Sequence, residues 1–128
     1  MEDTKLRIMV IDDEQIVGKR LKPALEKTGN IIETFEDGRT ALKRFDEESF
    51  DIVVTDIRMD EIDGIEILEQ VIARSNRTKV IIITGYATVE AAREALSKGA
   101  FDFIAKPFKP NDLRLIIDRA AEELKSSS

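Results

Sequence analysis

The chain has 128 residues, 42% of them hydrophobic and 36% charged, with a formal net charge of −6. This length suits a single domain, and the apolar runs are far shorter than the roughly 20 residues that cross a bilayer, so we expect one soluble, cytoplasmic domain without a membrane anchor. The acidic balance argues against direct nucleic-acid binding, and the lack of cysteine and histidine excludes disulfides, thiol chemistry and imidazole bases.

Short β-rich segments recur along the chain. They lie at residues 6–11, 31–35, 51–56, 79–84 and 101–105. The first, third and fourth are nearly continuous in Ile and Val, which is typical of strands buried on both faces of a parallel sheet. The second and fifth alternate more between apolar and polar residues, which indicates edge strands.

Segments with helical spacing alternate with these strands. Four lie at residues 14–28, 38–47, 64–74 and 88–98. A fifth, the last in the chain, carries an apolar stripe from Leu113 to Leu124. Gly29 and Gly99 stand where helix C-termini favour glycine, and Pro23 predicts a kink or a loosened turn in the first helix. The alternation predicts an α/β domain over residues 1–124, with helices on both faces of a parallel sheet and residues 125–128 as a tail or the start of a linker.

Polar side chains follow several of the predicted strands at the point where each strand ends. They are Asp12 and Asp13 after the first, Asp56 after the third, Thr84 after the fourth, and Lys106 with Pro107 after the fifth. In a parallel sheet these ends share one edge, where ligands bind. Clustered carboxylates repel one another, so the arrangement implies a divalent cation and a fixed positive side chain.

The chemistry of these residue types favours phosphoryl transfer. Mg²⁺ prefers oxygen ligands and takes one or two carboxylates together with water and phosphate, so we predict Mg²⁺ at Asp12, Asp13 and Asp56. The metal and Lys106 together can hold the oxygens of a phosphoryl group during transfer. Asp56 is ionised at neutral pH, whereas Thr84 needs a general base that is not evident, so Asp56 is the predicted acceptor.

These residues lie in motifs that resemble the receiver domain of bacterial two-component response regulators. The motifs are the paired acids after the first strand, "VVTDIRM", "IIITGYAT" and "FIAKPF", and they cover nearly the whole chain. The segments "TGYATVEAA" and "GAFDFIAKPF" most resemble receivers of nitrogen-regulation-type activators. The resemblance implies a flavodoxin-like, doubly wound sheet of order 2-1-3-4-5 and a phosphorelay switch rather than an enzyme that acts on outside substrates.

The resemblance also implies how the phosphoryl group arrives. Mg²⁺ would be held by Asp12, Asp13, Asp56 and the backbone carbonyl of Arg58, with Asp13 the more direct ligand of the first pair. Asp56 would accept the phosphoryl group from a phosphohistidine on a sensor histidine kinase.

The family pattern further implies a switch. Thr84 and Lys106 would contact the phosphoryl oxygens, Phe103 would change rotamer, and Pro107 would follow a cis peptide bond that places Lys106 over the site. The face made by the fourth helix, fifth strand and fifth helix would then contact an output domain, an effector or a second copy of the chain. We expect that face to lie around Val89, Arg93, Phe103 and Leu113.

Two features depart from the family pattern. Asp60, in "RMDEIDG", stands in a loop that often carries proline, which predicts a less rigid and more negative loop near the metal. Phe103 has no hydroxyl group, so any switch at this position must work by packing alone.

Other interpretations of single residues stand beside these. Asp12 with Gln15 fits a helix capping box, and Phe103 is equally well explained by core packing. The "DEIDG" segment suggests a calcium loop, but Ile62 would occupy a ligand position, so Asp63 capping a helix with Glu66 is favoured.

Two other functions are open from the sequence. A Mg²⁺-dependent phosphatase of the haloacid-dehalogenase type also uses an aspartyl nucleophile, but it needs a second aspartate where this chain has Arg58. A flavodoxin-like FMN-binding module would share the fold, yet its first loop should be rich in Ser, Thr and Gly, and "DDEQIV" would repel a phosphate without metal.

Overall fold

The structure is a computed structural model that describes residues 5–59, 62–85 and 89–126, with Val89 described through its backbone alone. The strands are β1 (Arg7–Ile11), β2 (Ile31–Phe35), β3 (Ile52–Asp56), β4 (Lys79–Thr84) and β5 (Asp102–Ala105). The helices are α1 (Gln15–Glu26), α2 (Gly38–Glu47), α3 (Gly64–Arg74), α4 (Val89–Ser97) and α5 (Pro110–Ser126). Each predicted element is present, within three residues at its bounds. The expectations for Asp60 and for the Val89 side chain lie outside what is described.

The strands form one parallel sheet in the order β2-β1-β3-β4-β5, as predicted. The two strands with alternating sequences, β2 and β5, are the edges. The chain runs from β1 outward to β2 and then returns to β3 on the other side of β1. The strand order therefore reverses between β1 and β3, where a crevice forms at the carboxyl ends of the strands.

Helices cover both faces of the sheet, and the strand residues alternate between them. Ile8 and Val10 of β1 belong to the core cluster that includes α1 and α5, whereas Met9 and Ile11 belong to the cluster that includes α2, α3 and α4. β3 and β4 divide their side chains between the same two clusters. This two-sided burial is the physical reason that the central strands are apolar at consecutive positions.

Local signals set most helix ends. Asp63 caps α3 by accepting a hydrogen bond from the Glu66 N–H at 2.9 Å, as predicted, and Asp37 caps α2 in the same way through Thr40. Gly29 and Gly99 have φ of 90° and 110°, the left-handed conformation that glycine adopts at least cost. α5 continues through Ser126, so the first two residues of the predicted tail are helical.

The start of α1 differs from one interpretation of the sequence. Glu14, not Asp12, is the N-cap residue, and Asp12 instead accepts a hydrogen bond from the Glu14 N–H at 2.8 Å. The capping box of Asp12 with Gln15 is therefore wrong. Pro23 lies inside α1, which continues for three more residues to Glu26.

Candidate functional site

Backbone hydrogen bonds that continue just past the strands fix the residues of the site. The Asp12 N–H donates to the Phe35 carbonyl at 3.0 Å, and the Lys106 N–H donates to the Thr84 carbonyl at 2.7 Å. Ile57, directly after Asp56, donates to the Ile83 carbonyl at 2.9 Å. Residues that are far apart in the chain are thus held at one edge of the sheet, which we call the site edge.

Three aspartates converge at the site edge, as the strand-end pattern predicted. Asp12, Asp13 and Asp56 each present a carboxylate oxygen, and these oxygens lie within 4.8 Å of one another. We call these three residues the acid cluster. Asp12 and Asp56 are buried and Asp13 is exposed, so the cluster opens to solvent on the side of Asp13.

The Lys106 ammonium group enters this cluster from the loop after β5. Its Nζ lies 3.1 Å from Asp12 Oδ2, 3.1 Å from Asp56 Oδ2 and 2.7 Å from Glu14 Oε1. Burial by itself lowers the pKa of Lys106, but its contacts with the carboxylates of Glu14, Asp12 and Asp56 outweigh it, so the pKa is raised and the side chain stays charged. The peptide bond between Lys106 and Pro107 is cis.

Glu14 is a site residue that the sequence argument missed. Its contact with Lys106 is the shortest of the three, and Lys106 holds the pKa of its carboxyl below the ordinary value. The signal in the sequence was its position directly after the aspartate pair, in "DDE". A glutamate at the start of a helix is so common that this position alone does not distinguish a site residue.

The crowding of carboxylates changes the pKa of Asp12. Burial, and then the negative charge of Asp56, raise the pKa of Asp12 to about 6, against the lowering effects of the Glu14 N–H and Lys106. Although Asp12 Oδ2 lies within ion-pair distance of Lys106, it is buried and makes no hydrogen bond to any residue that the structure describes. A buried oxygen with a free lone pair, beside two further carboxylates, fits a hard divalent cation such as Mg²⁺.

The carboxylate of Asp56 is held at both oxygens. Oδ1 accepts a hydrogen bond from the Arg58 N–H at 3.2 Å, and Oδ2 accepts one from Lys106 at 3.1 Å. The backbone carbonyl of Arg58, predicted as a metal ligand, follows in the same loop. It remains a prediction.

Gly64 is a second residue that the sequence argument missed. A Cβ atom on Gly64 would lie 2.4 Å from the Asp56 carbonyl oxygen and 2.6 Å from the Ile57 Cα atom. The first residue of α3 therefore packs directly on the backbone that carries Asp56, where no side chain fits. The "DG" pair in the sequence marked a helix cap, but this close approach depends on how α3 docks.

The predicted switch residues occupy different environments. Thr84 is buried at the end of β4, and its hydroxyl donates to the Gly85 carbonyl oxygen at 2.9 Å. Phe103 is half-buried and packs against the core cluster on the side of α2, α3 and α4, while Arg93 is exposed. The prediction that Leu113 contributes to a contact face is wrong, because its side chain is fully buried in the core cluster that includes α1 and α5.

Comparison with known families gives a match over most of the chain. The model of the family described as "Response regulator receiver domain" matches residues 8–118. The chain is 44% identical over 116 residues to the Regulatory protein AtoC of Escherichia coli K12, which covers 91% of this chain and 25% of AtoC. It is 34% identical over 113 residues to the DNA-binding transcriptional regulator NtrC of the same organism, covering 88% of this chain and 24% of NtrC.

Solved structures agree with these relatives. The crystal structure of a response regulator receiver domain protein from Clostridium thermocellum superimposes with a TM-score of 0.91 at 33% identity, over 96% of this chain and 99% of that chain. The similarity to NtrC agrees with the prediction, made from the segments "TGYATVEAA" and "GAFDFIAKPF", that this receiver resembles those of nitrogen-regulation-type activators. The chain spans about a quarter of the length of AtoC and NtrC. Among the described helices, none has the length and apolar composition to cross a membrane.

Proposed function

This chain belongs to the response regulator receiver domain family, whose members are phosphoacceptor signalling switches, and we propose that its acceptor is Asp56, phosphorylated by a histidine kinase with Mg²⁺ bound. The observation that carries the proposal is Lys106, whose ammonium group lies 3.1 Å from a carboxylate oxygen of both Asp12 and Asp56. A buried acid pair bridged by a fixed cation has both the charge and the geometry to receive an anionic phosphoryl group.

In the proposed step the phosphoryl group moves between two nucleophiles. A carboxylate oxygen of Asp56 forms the new O–P bond while the N–P bond of a phosphohistidine breaks, and the imidazole nitrogen keeps the electron pair of that bond. Asp56 needs no general base, because a carboxylate is already ionised at neutral pH. Lys106 compensates the negative charge that gathers on the transferred oxygens.

Asp12, Asp13 and Asp56 supply the side chains that would hold Mg²⁺, with the Arg58 carbonyl as the further protein ligand. When bound, Mg²⁺ neutralises negative charge on the phosphoryl oxygens. The buried Oδ2 of Asp12, which has no hydrogen bond among the described residues, supports this assignment. The alternative of a phosphatase that acts on outside substrates is disfavoured by Arg58, which stands where a second aspartate would be needed.

We place the response to phosphorylation on β4, β5 and α4. Thr84 ends β4 and would turn its hydroxyl towards the phosphoryl oxygens, and Phe103 would move into the space that this vacates. The fully buried side chains among the described residues of α4 are Ala92 and Ala95, so few large apolar contacts hold this helix in place. Arg93, exposed on α4, and the half-buried Phe103 belong to the proposed contact face for an output domain, an effector or a second copy.

The acceptor is tested by intact mass after incubation with acetyl phosphate and Mg²⁺. We expect the wild type to gain the mass of one phosphoryl group and Asp56→Asn to gain none. Asp118→Asn, which changes an exposed aspartate of α5, is the matched control and should be phosphorylated like the wild type. Full phosphorylation of Asp56→Asn, or of wild-type protein with the metal chelated, would contradict the proposal.

The metal site is tested separately by calorimetric titration with Mg²⁺. Asp13→Ala should bind Mg²⁺ more weakly, because it removes a ligand, and should melt at an unchanged or higher temperature without metal, because it relieves repulsion. A marked fall in the melting temperature of the metal-free variant would show that Asp13 is chiefly structural.

A further inference from the structure

The side chain of Glu14 is engaged with the site rather than with its own helix. Glu14 is the N-cap residue of α1, yet its carboxylate makes no capping hydrogen bond. The carboxylate instead accepts a hydrogen bond from Lys106 Nζ at 2.7 Å, across 92 residues of sequence. Helix capping, the ordinary role of an acidic residue at this position, therefore does not account for it.

Glu14 takes a share of the charge and donors of Lys106. An ammonium group has three donors, and here three carboxylates surround it. Glu14 and Asp56 receive hydrogen bonds from Lys106, whereas Asp12 Oδ2, at 3.1 Å, receives none. Of the three acids around Lys106, the most exposed one, Glu14, thus has the shortest contact, while Asp12 of the acid cluster has a buried oxygen without a hydrogen bond to any described residue.

Exposure separates the carboxylates that share the ammonium group. The Glu14 side chain is 60% exposed and that of Asp56 is 9% exposed. A phosphoryl group on Asp56 would bring new oxygens to the same ammonium group, and Glu14 would then be an anionic competitor next to them.

We propose that Glu14 is a positioning residue that competes with the phosphoryl oxygens for Lys106 and so sets how tightly the site holds a phosphoryl group. The inference rests on the proposed function of Asp56 as acceptor. It extends that function by assigning to a residue outside the acid cluster the control of phosphoryl retention through Lys106.

The test measures the binding of beryllofluoride, a stand-in for the phosphoryl group on a carboxylate, at saturating Mg²⁺. Fluorine NMR gives the bound fraction directly. We expect Glu14→Gln to lower the Kd for beryllofluoride about two- to fivefold, the size of effect that a partly exposed ion pair supplies. An unchanged or higher Kd in Glu14→Gln would overturn the inference.

Two variants separate contact from charge. Glu26→Gln makes the same charge change at the exposed far end of α1 and should leave the Kd unchanged. Glu14→Asp keeps the charge but shortens the side chain by one methylene group, so it should lower the Kd in the same direction as Glu14→Gln if the direct contact matters. A gain in Glu26→Gln equal to that in Glu14→Gln would reduce the effect to net charge and overturn the inference.

A double-mutant cycle tests whether the effect passes through Lys106. In a Lys106→Met background, Glu14→Gln should change the Kd by less than about 1.5-fold, because the shared cation is gone. The same gain with and without Lys106 would overturn the inference but leave Asp56 as the acceptor. If the wild type itself binds no beryllofluoride while its melting curve shows a folded protein, the proposed function fails as well.

Discussion

The site edge and the opposite edge of the sheet, where the strands begin, differ in how their charged groups are paired. At the edge where the strands begin, Asp51 accepts a hydrogen bond from the Arg7 N–H at 2.9 Å and pairs with Arg77 at 2.7 Å. At the site edge, Asp12, Glu14 and Asp56 share the Lys106 ammonium group, and a buried oxygen of Asp12 has no hydrogen bond within the described part of the chain. The first edge gives its acid satisfied contacts, while the second concentrates negative charge.

The two edges therefore contribute differently to folding stability. Satisfied pairs contribute to folding stability, whereas crowded carboxylates lower it until a cation binds and offsets their negative charge. Glu33 of β2 is another satisfied acid, because its carboxylate accepts hydrogen bonds from both Arg44 and Arg7. The site edge is therefore less stable than its burial suggests, because its carboxylates are crowded around one cation.

The largest expected effect separates two lysines of similar exposure. Lys106→Met should slow phosphorylation by acetyl phosphate about 100-fold, because it removes the cation that compensates the transferred oxygens. Lys79→Met, at the opposite edge, removes a lysine whose side chain is 25% exposed, against 24% for Lys106, and breaks an ion pair with Glu123. Lys79→Met should phosphorylate at the wild-type rate by intact-mass kinetics. Equal loss in both variants would show that the effect is general to positive charge.

Two glycines sharpen the comparison through backbone geometry. Gly64→Ala should lower the free energy of unfolding by about 2–3 kcal/mol, because its Cβ would overlap the backbone of Asp56 and Ile57. Gly29→Ala, at the opposite edge, has open space and suffers only from its left-handed φ, so it should lose about 1 kcal/mol. Urea unfolding measures both. If Gly64→Ala is the milder of the two, α3 does not dock on Asp56 as closely as the structure shows.

The same substitution should have opposite signs at the two edges. Without metal at pH 7.5, Asp12→Asn should raise the free energy of unfolding by about 1–2 kcal/mol, because burial and Asp56 disfavour the charged form of Asp12. Asp51→Asn should lower it by about 1–2 kcal/mol, because Asp51 loses its charge-assisted contacts. A loss in both variants would contradict the idea that the site edge is crowded.

The stability difference between Asp12→Asn and the wild type should depend on pH. The pKa of Asp12 is raised to about 6 from 3.8, so the folded wild type binds a proton as the pH falls through about 6, before the unfolded chain does. The advantage of Asp12→Asn should therefore shrink between about pH 7 and pH 4. An advantage that is constant over this range would show that Asp12 is not the titrating group.

The smallest effect is expected at Glu33. Arg44 first, and Arg7 as well, hold its pKa below the ordinary value of 4.5, so ionised Glu33 stabilises the fold above that pH. Glu33→Gln should lose at most about 1 kcal/mol at neutral pH, and this deficit should vanish as the pH falls through the lowered pKa of Glu33 in the folded protein. Chemical unfolding across pH measures the deficit. A deficit that persists in acid would assign it to packing rather than to charge.

The sequence by itself was sufficient for the architecture. Continuous apolar runs predicted the central strands, and alternation identified β2 and β5 as edges. Asp63 and the glycines at positions 29 and 99 marked helix ends correctly. These features are legible because side-chain period, capping and left-handed turns depend on neighbours in the chain.

The tertiary structure decided which residues share charge and space. The Lys106 ammonium group meets Asp56 across 50 residues and Glu14 across 92, and a shift of about 1 Å would decide which carboxylate it bonds. Gly64 against the Asp56 carbonyl and the burial of Leu113 follow from the docking of α3 and α5, which no local pattern specifies. Sequence spacing brings residue types to an edge of a parallel sheet, but only the packed helices and loops set the distances at which their charges act.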